Sequence, residues 1–280
     1  MKKKKIIKRL LPFIIALVIV PIALCIYFQS KMDNGTVEAV KINSHVWLLN
    51  ENNQATCYLV VGEEKAALID TLNGYQDLSE TVSSITKLPV IVINTHGHSD
   101  HIGGNGYFGE AYLNKADWEI AQRNCSNILY GYMKIKNKMK DVRYTDIAEG
   151  ESFDLGGITL VAYGLPGHTP GGMCFLDKQD RILFTGDGIN RHCWMQLEES
   201  LSIVDFVENL KSFGSLSDEY DLICNGHASA PDDAALYNEL LAAAEELRDG
   251  KTSMDTTYKY WGGTCMQHPF PSGDGVIVYR

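Results

Sequence analysis

Two glycine-punctuated segments hold four of the eight histidines of the chain. The first, at 95–104, reads THGHSDHIGG, and the second, at 166–172, reads PGHTPGG. The first segment alone places three imidazoles and one carboxylate within six residues. Because each neutral imidazole in a protein interior needs its own polar partner, packing alone rarely demands such a density. The spacing therefore predicts a metal site.

Five short apolar runs each end within a few residues of a group that can bind or orient a metal. Such runs are typical of buried strands. In α/β sheets ligands gather outside the strand ends, so we expect these groups to converge on one cleft. The runs and the groups that follow them are 66–69 with Asp70, 90–93 with His96, 158–162 with His168, 181–184 with Asp187 and 222–224 with His227.

The elements that must position these groups alternate between strands and helices. We expect helices at about 79–87, 203–213 and 232–247, and a closing strand at 276–279. Two successive cycles of strands and helices predict an α/β fold, a four-layer αββα sandwich of two related halves with the sheets inside. This domain is expected to span 37–280.

Residues 115–149 fit neither half and form a predicted insertion. A helical stretch is followed by Tyr130, Tyr132 and Tyr144 among lysines. Two interpretations stay open: the insertion roofs the cleft, or it is a helix pair that only packs on the surface. The first makes Tyr130 and Tyr132 substrate contacts, with Arg191 and His192 as further candidates beside Asp187.

The first 28 residues are predicted to lie outside the folded domain. Residues 1–9 form a basic head with six cations, and 10–28 is an uncharged, mostly apolar run of nineteen residues. That length suits a helix crossing a bilayer. No small-x-small cleavage site follows, so a single-pass anchor is favoured over a signal peptide. The basic head is expected to remain cytoplasmic, with the linker at 29–36 and the catalytic domain outside the cytoplasm.

The net charge of the chain limits the classes of partner that we expect it to bind. The formal net charge is −10, although six of the 25 basic residues lie in the head. The acidic remainder repels nucleic acid, so no nucleic-acid partner is expected. The seven cysteines form no CxxC pair, and Cys57, Cys174 and Cys224 lie in strand-like runs, where we expect small buried hydrophobes.

The motifs HGHSDH at 96–101, GHT at 167–169, TGD at 185–187 and GH at 226–227, with Asp70 upstream, together resemble the ordered motif set of the metallo-β-lactamase superfamily. The resemblance covers about 37–247. It implies two metal ions, Zn²⁺ first and iron or manganese as alternatives, with a hydroxide between them that attacks the substrate. The implied ligands are His96, His98 and His168 for one metal, Asp100, His101 and His227 for the other, and Asp187 as the bridge.

Further residue roles follow from the resemblance. Asp70 is implied to steady a ligand histidine and is grouped with Asp100 as catalytic. Independently of the resemblance, the local sequence at 43–46 leads us to interpret His45 as a surface or strand-edge residue.

Departures from subfamily patterns narrow the reaction. Antibiotic-cleaving members carry cysteine or serine at the position of Asp187, and di-iron redox members carry glutamate at that of His98. Glyoxalase-type thioesterases resemble 95–105 closely, but they append a helical domain for which we expect the tail to be too short. The prediction is a membrane-anchored hydrolase of an ester, lactone or thioester bond in a small molecule. A phosphodiesterase and a catalytically silent metal-binding receptor are the alternatives.

Overall fold

The computed structural model describes residues 19–21, 23–24, 26–27, 30–31 and 35–280. The predicted basic head at 1–9 and most of the predicted anchor at 10–28 lie outside these residues. Among the residues described, there is no helix that combines the length and the apolar character needed to span a bilayer.

The first sheet has seven strands whose order in space follows the chain. The strands β1 to β4 pair antiparallel, and β4 to β7 pair parallel. They are β1 (Val37–Lys41), β2 (Val46–Glu51), β3 (Ala55–Val61), β4 (Ala66–Ile69), β5 (Val90–Ile93), β6 (Glu110–Tyr112) and β7 (Arg143–Thr145). The predicted insertion at 115–149 therefore also contributes an edge strand.

The second sheet has six strands, in the order β14-β13-β11-β10-β9-β8. They are β8 (Ser152–Asp154), β9 (Thr159–Gly164), β10 (Met173–Asp177), β11 (Ile182–Gly186), β13 (Leu222–Asn225) and β14 (Asp232–Asp233). The remaining strand of this half, β12 (His192–Trp194), leaves this sheet for a third one.

Seven α-helices accompany the sheets in residues 35–280: α1 (Leu78–Ile85), α2 (Ser99–Ile102), α3 (Asn105–Phe108), α4 (Trp118–Asn124), α5 (Ile128–Lys136), α6 (Ile203–Phe213) and α7 (Ala235–Arg248). Local sequence explains the helix α6. The Ser202 hydroxyl accepts from the backbone N–H of Asp205 at 3.1 Å and caps it. Phe206, Leu210 and Phe213 repeat at helical spacing and are all buried.

Three buried clusters establish the layers. Ile69 of the first sheet packs with Phe175 and Phe184 of the second, so the two sheets face each other. Leu78 of α1 packs on the outer face of the first sheet. The helices α6 and α7 cover the outer face of the second sheet. The predicted αββα order is confirmed.

A four-stranded third sheet, β12-β17-β16-β15, departs from the single closing strand expected in the tail. Its other strands are β15 (Thr256–Tyr260), β16 (Gly263–Pro269) and β17 (Val276–Tyr279). β12 pairs in parallel with β17. The segment after Asp187 is thereby joined to the end of the chain. The tail was underestimated because its first two strands are largely exposed and lack an apolar run.

Candidate metal centre and substrate cleft

All seven predicted ligands lie together at one end of the two central sheets. His96 and His98 follow β5, and Asp100 and His101 lie in α2. His168, Asp187 and His227 follow β9, β11 and β13, in that order. The strand ends converge as the sequence predicted, because the parallel pairs β4–β5 and β11–β13 point their carboxyl ends to the same edge.

Three histidines form the first group. His96 Nε2 lies 3.0 Å from His98 Nδ1, and His168 Nε2 lies 2.9 Å from the same nitrogen. Three ring nitrogens from two loops thus face one point. His98 directs its Nδ1 to this point, whereas His96 and His168 direct their Nε2 atoms to it.

The second group contains Asp100, His101 and His227. Asp100 Oδ2 lies 3.9 Å from His101 Nε2 and 3.7 Å from His227 Nε2. Asp187 contacts both groups: its Oδ2 is 3.5 Å from His168 Nε2 and 3.2 Å from His227 Nε2, and its Oδ1 is 3.4 Å from His101 Nε2. Asp187 therefore occupies the position that a bridging carboxylate requires.

Each of these five histidines turns its second ring nitrogen to an acceptor outside the groups. Such contacts set the tautomer and orientation of metal-binding imidazoles. The contacts are His98 Nε2 with Glu199 Oε1 at 2.8 Å, His168 Nδ1 with the carbonyl of Trp194 at 2.6 Å, His227 Nδ1 with the carbonyl of Gln54 at 2.8 Å, His101 Nδ1 with Asp70 Oδ2 at 2.8 Å and His96 Nδ1 with Thr95 Oγ1 at 3.0 Å.

Asp70 is a buried carboxylate behind the second group. Thr95 donates to it twice, from its backbone N–H to Oδ1 at 2.8 Å and from its hydroxyl to Oδ2 at 2.7 Å. The hydroxyl in turn faces His96, so Asp70 orients His101 directly and His96 through Thr95. The steadying role implied for Asp70 fits this placement, which is too deep for substrate contact.

The donor set fits divalent cations. His101 Nε2 and Asp187 Oδ1 are buried and have no hydrogen-bond partner among the residues described. A buried polar atom without a partner costs free energy, which a bound cation at that point would remove. Imidazole and carboxylate donors suit zinc and neighbouring transition metals.

The pKa values of the histidines are shifted in opposite directions in the two groups. Burial lowers the pKa of His96 well below its usual value and that of His168 to about 4. Burial acts in the same direction on His227, but the Asp187 carboxylate overrides it and raises the pKa to about 9. His101 also shifts upward, because Asp187 and Asp70 outweigh its burial, so its pKa lies well above the usual value. Burial thus favours the neutral form of His96 and His168, whereas the neighbouring carboxylates favour the protonated form of His101 and His227.

Asp117, a wholly buried residue, ties the two histidine loops together and was not predicted. Its Oδ2 accepts from the N–H of Gly97 at 2.8 Å, and its Oδ1 accepts from the N–H of Gly171 at 2.6 Å. A Cβ at Gly171 would lie 2.6 Å from Asp117 Oδ1, so glycine is required there. In sequence Asp117 resembles an ordinary residue at a helix start, which explains why it was missed.

A cleft of about 880 Å³ opens over the two groups. One of its walls is aromatic and comes from the third sheet: His192, Trp194, Tyr258, Tyr260 and Trp261. Ring centroids are 5.2 Å apart for His192 and Tyr258 and 5.8 Å for Trp194 and Tyr260. Trp261 is 87 % exposed at the hairpin tip. We call these five side chains the aromatic wall.

Of the four predicted substrate contacts, His192 lines the cleft. Arg191, which precedes β12, is not among the residues that line the cleft, and its Nε donates to Asp232 Oδ1 at 2.7 Å. Tyr130 is buried against Tyr75 and Met133, and Tyr132 packs on the same cluster, so both are directed into the scaffold. The roof interpretation of 115–149 is therefore corrected: only Arg123 and Asn124 of that segment line the cleft.

Comparison with known families agrees with this geometry. The sequence profile of the metallo-beta-lactamase superfamily matches residues 51–254. The chain belongs to this superfamily. It has the superfamily fold.

Curated relatives within the superfamily include hydrolases. The chain is 28 % identical over 162 residues to human acyl-coenzyme A thioesterase MBLAC2. This match covers 48 % of this chain and 58 % of the relative. It is 30 % identical over 148 residues to hydroxyacylglutathione hydrolase GloC of Haemophilus influenzae, at 48 % and 66 %. With the probable metallo-hydrolase YybB of Bacillus subtilis it shares 28 % over 216 residues, at 72 % and 86 %. The matched part thus spans little more than half of the human relative.

Solved structures of the superfamily share the fold. A metallo-beta-lactamase from Erythrobacter litoralis superposes with a TM-score of 0.59 at 18 % identity, over 76 % of this chain and 97 % of that one. One from Pontibacter korlensis gives 0.54 at 20 % identity, over 75 % and 99 %.

Proposed function

We propose that this protein is a metallo-hydrolase that cleaves a thioester or an oxygen ester, lactones included, of a small molecule, with two divalent cations at the base of the cleft. The observation that carries the proposal is the position of Asp187, whose carboxylate lies within 3.5 Å of histidines from both groups. His96, His98 and His168 would hold one cation, and Asp100, His101 and His227 the other. Zinc is the proposed metal.

Two bound cations would supply a water of lowered pKa as nucleophile and would polarise the carbonyl oxygen of the substrate. The residues of the chain orient the histidine rings and enclose the substrate. Glu199 and Trp194 fix the rings of His98 and His168. The aromatic wall packs on the substrate body and excludes water from one side of the reacting bond.

The lining of the cleft favours cleavage at a neutral carbonyl group over cleavage at an anionic phosphodiester group. Its arginines are Arg123 and Arg280, and Arg123 is engaged by Glu199 at 3.1 Å. Glu198, Glu199 and the ligand carboxylates oppose them. Thioesters are supported further by the two relatives whose names specify an acyl-coenzyme A thioesterase and a hydrolase of hydroxyacylglutathione.

A substrate panel tests the proposal. Metal-loaded protein is assayed with acyl-coenzyme A and acylglutathione thioesters, aryl esters, lactones and bis(p-nitrophenyl) phosphate. We expect turnover of an ester or thioester that Asp187→Ala abolishes while lowering the metal content of the catalytic centre from two ions towards one. Turnover of the phosphodiester alone would assign the alternative reaction, and no turnover with two metals bound would favour the silent receptor.

We further propose that residues 10–28 anchor the enzyme in the cytoplasmic membrane with its catalytic domain outside. The six cations ahead of the uncharged run support this orientation. Protease added to intact spheroplasts should digest the domain of the full chain. Protection of the domain from protease until the cells are lysed would show the opposite orientation. Recovery of the full chain in the soluble fraction would contradict the proposed anchor.

A further inference from the structure

A second cluster of metal-binding side chains lies at the end of the sandwich opposite the cleft. His45 is in the turn between β1 and β2, Asp177 ends β10, and Asp180 is in the turn before β11. Their donor atoms all lie within 4.8 Å of one another. The cluster therefore joins one hairpin of each central sheet.

Asp177 directs an unpartnered oxygen into this cluster. Its side chain is 0 % exposed. Its Oδ1 accepts from the backbone N–H groups of Gln179 at 3.0 Å and Asp180 at 3.2 Å. Its Oδ2 is buried and has no hydrogen-bond partner in the part of the chain that the structure describes. A buried carboxylate oxygen without a partner is costly, which indicates a missing ligand at that point.

His45 meets both carboxylates without a hydrogen bond. Its Nε2 lies 2.7 Å from Asp180 Oδ2 and 3.6 Å from Asp177 Oδ2. Yet this nitrogen also has no hydrogen-bond partner by geometry within the described residues, so neither oxygen is in line with its N–H bond. Three donors around a common point, rather than along one bond, are the arrangement of ligands around a cation. The shorter of the two spacings is close to the 2.9 and 3.0 Å of the first group, and the longer one exceeds them.

The surroundings leave the cluster negative and hold its ligands in place. The neighbouring cations are engaged elsewhere, Lys178 with Glu219 at 3.7 Å and Arg181 with Asp221 at 2.7 Å. The Ser44 hydroxyl contacts His45 Nδ1 at 3.0 Å, as an outer partner of a metal-binding imidazole does. His45 and Asp180 remain 20 % and 28 % exposed, which leaves an entry path and room for water ligands.

We infer that His45, Asp177 and Asp180 form an auxiliary site for a divalent cation of the zinc type, separate from the catalytic centre, which clamps the two sheets together. One imidazole and two carboxylates suit Zn²⁺ or Mn²⁺. The interpretation of His45 as a plain strand-edge residue is revised accordingly. An ion pair between a protonated His45 and the carboxylates is the competing explanation, and it needs no metal.

The test counts Zn²⁺ per chain in the full-length protein after loading and dialysis, by elemental analysis. We expect Asp180→Asn and His45→Ala each to retain one Zn²⁺ fewer than wild type, and Lys178→Gln, in the same turn, to retain the wild-type number. Hydrolytic activity of the Asp180→Asn variant should be unchanged, which separates this site from the catalytic one.

A thermal scan supplies a second measurement. Excess Zn²⁺ should raise the Tm of wild type more than that of Asp180→Asn, because a ligand that binds only the folded state stabilises it. Equal metal content and equal Tm shifts in wild type and Asp180→Asn would overturn the inference in favour of the ion pair. If His45→Ala fails to fold by circular dichroism, Asp180→Asn decides alone.

Discussion

Glu199 accepts a hydrogen bond of 2.8 Å from Nε2 of His98, and so turns the opposite nitrogen of that ring towards the catalytic centre. The same contact lowers the pKa of Glu199 to about 2, so the carboxylate stays charged at working pH. The two residues are 101 positions apart. The fold, not a local motif, supplies this pairing.

Glu199→Gln should weaken metal binding by about 10- to 100-fold and lower kcat accordingly, because an amide holds the imidazole less strongly than a carboxylate. Chelator competition with Zn²⁺ measures the affinity. Glu198→Gln is the matched control, because Glu198 is exposed and lines the cleft, whereas the hydrogen bond to His98 is accepted by Glu199. Equal affinities in both variants would show that Glu199 does not position His98.

Asp117→Asn should destabilise the two histidine loops. An amide offers one acceptor oxygen where the N–H groups of Gly97 and Gly171 need two, and its NH₂ group meets a donor. A loss of about 1–3 kcal/mol in unfolding free energy is expected. Urea titration of metal-free protein measures it.

The control for that experiment is Asp146→Asn, because Asp146 accepts one exposed backbone hydrogen bond, from Lys115. The unfolding free energy of the Asp146→Asn variant should differ from that of wild type by less than about 0.5 kcal/mol. Equal losses in the two variants would contradict a special role for Asp117.

The two metal positions should differ in their dependence on pH. Protons compete with metal wherever the ligand pKa is raised. Binding at the position of His101 and His227 should therefore strengthen as the pH rises towards the His227 pKa of about 9, by about tenfold per pH unit for each proton displaced. Binding at the position of His96 and His168 should depend less on pH over the same range, because the pKa values of these two rings are lowered and neither ring has to lose a proton.

Metal content after dialysis at pH 6 and at pH 9 measures this difference in the Asp180→Asn background, which removes the auxiliary site. One ion per chain at pH 6 and two at pH 9 is the expected result. Parallel loss of both ions on acidification would contradict the division into two groups.

The aromatic wall should determine which acyl groups are accepted. Trp261→Ala should lower kcat/KM at least tenfold, about 1.4 kcal/mol, for a benzoyl or long-chain thioester and less than twofold for the acetyl compound. Tyr132→Ala is the control, because this half-buried aromatic packs away from the cleft. A uniform loss across all acyl groups, or a loss with Tyr132→Ala alone, would place the selectivity elsewhere.

The sequence predicted the layers and the convergence of ligands because both depend on local patterns. Ile203–Phe213 carries its own cap and apolar face, and the strand at Ala66–Ile69 leads directly to Asp70. Contacts between distant segments left no such pattern. Glu199 and Asp117 acquire their roles only when loops far apart in the chain meet.

The same reason explains the errors at the cleft. Tyr130 and Tyr132 were near the histidine motifs in sequence, but α5 turns them into the scaffold. Tyr258 and Tyr260 were far away in sequence, yet β12 pairs with β17 and brings their hairpin beside Trp194. Distance along the chain was a poor guide to distance from the substrate.

The division between the central sheets and the third sheet has an evolutionary consequence. Every candidate ligand of the catalytic centre lies at or before His227, whereas three of the five aromatic-wall residues lie after 255. Descendants of this gene can therefore exchange the hairpin at 256–269 and acquire new substrates while inheriting the reactive centre intact. Variation among its orthologues should accordingly concentrate in that hairpin, with each lineage keeping the ligands and altering the residues that face them.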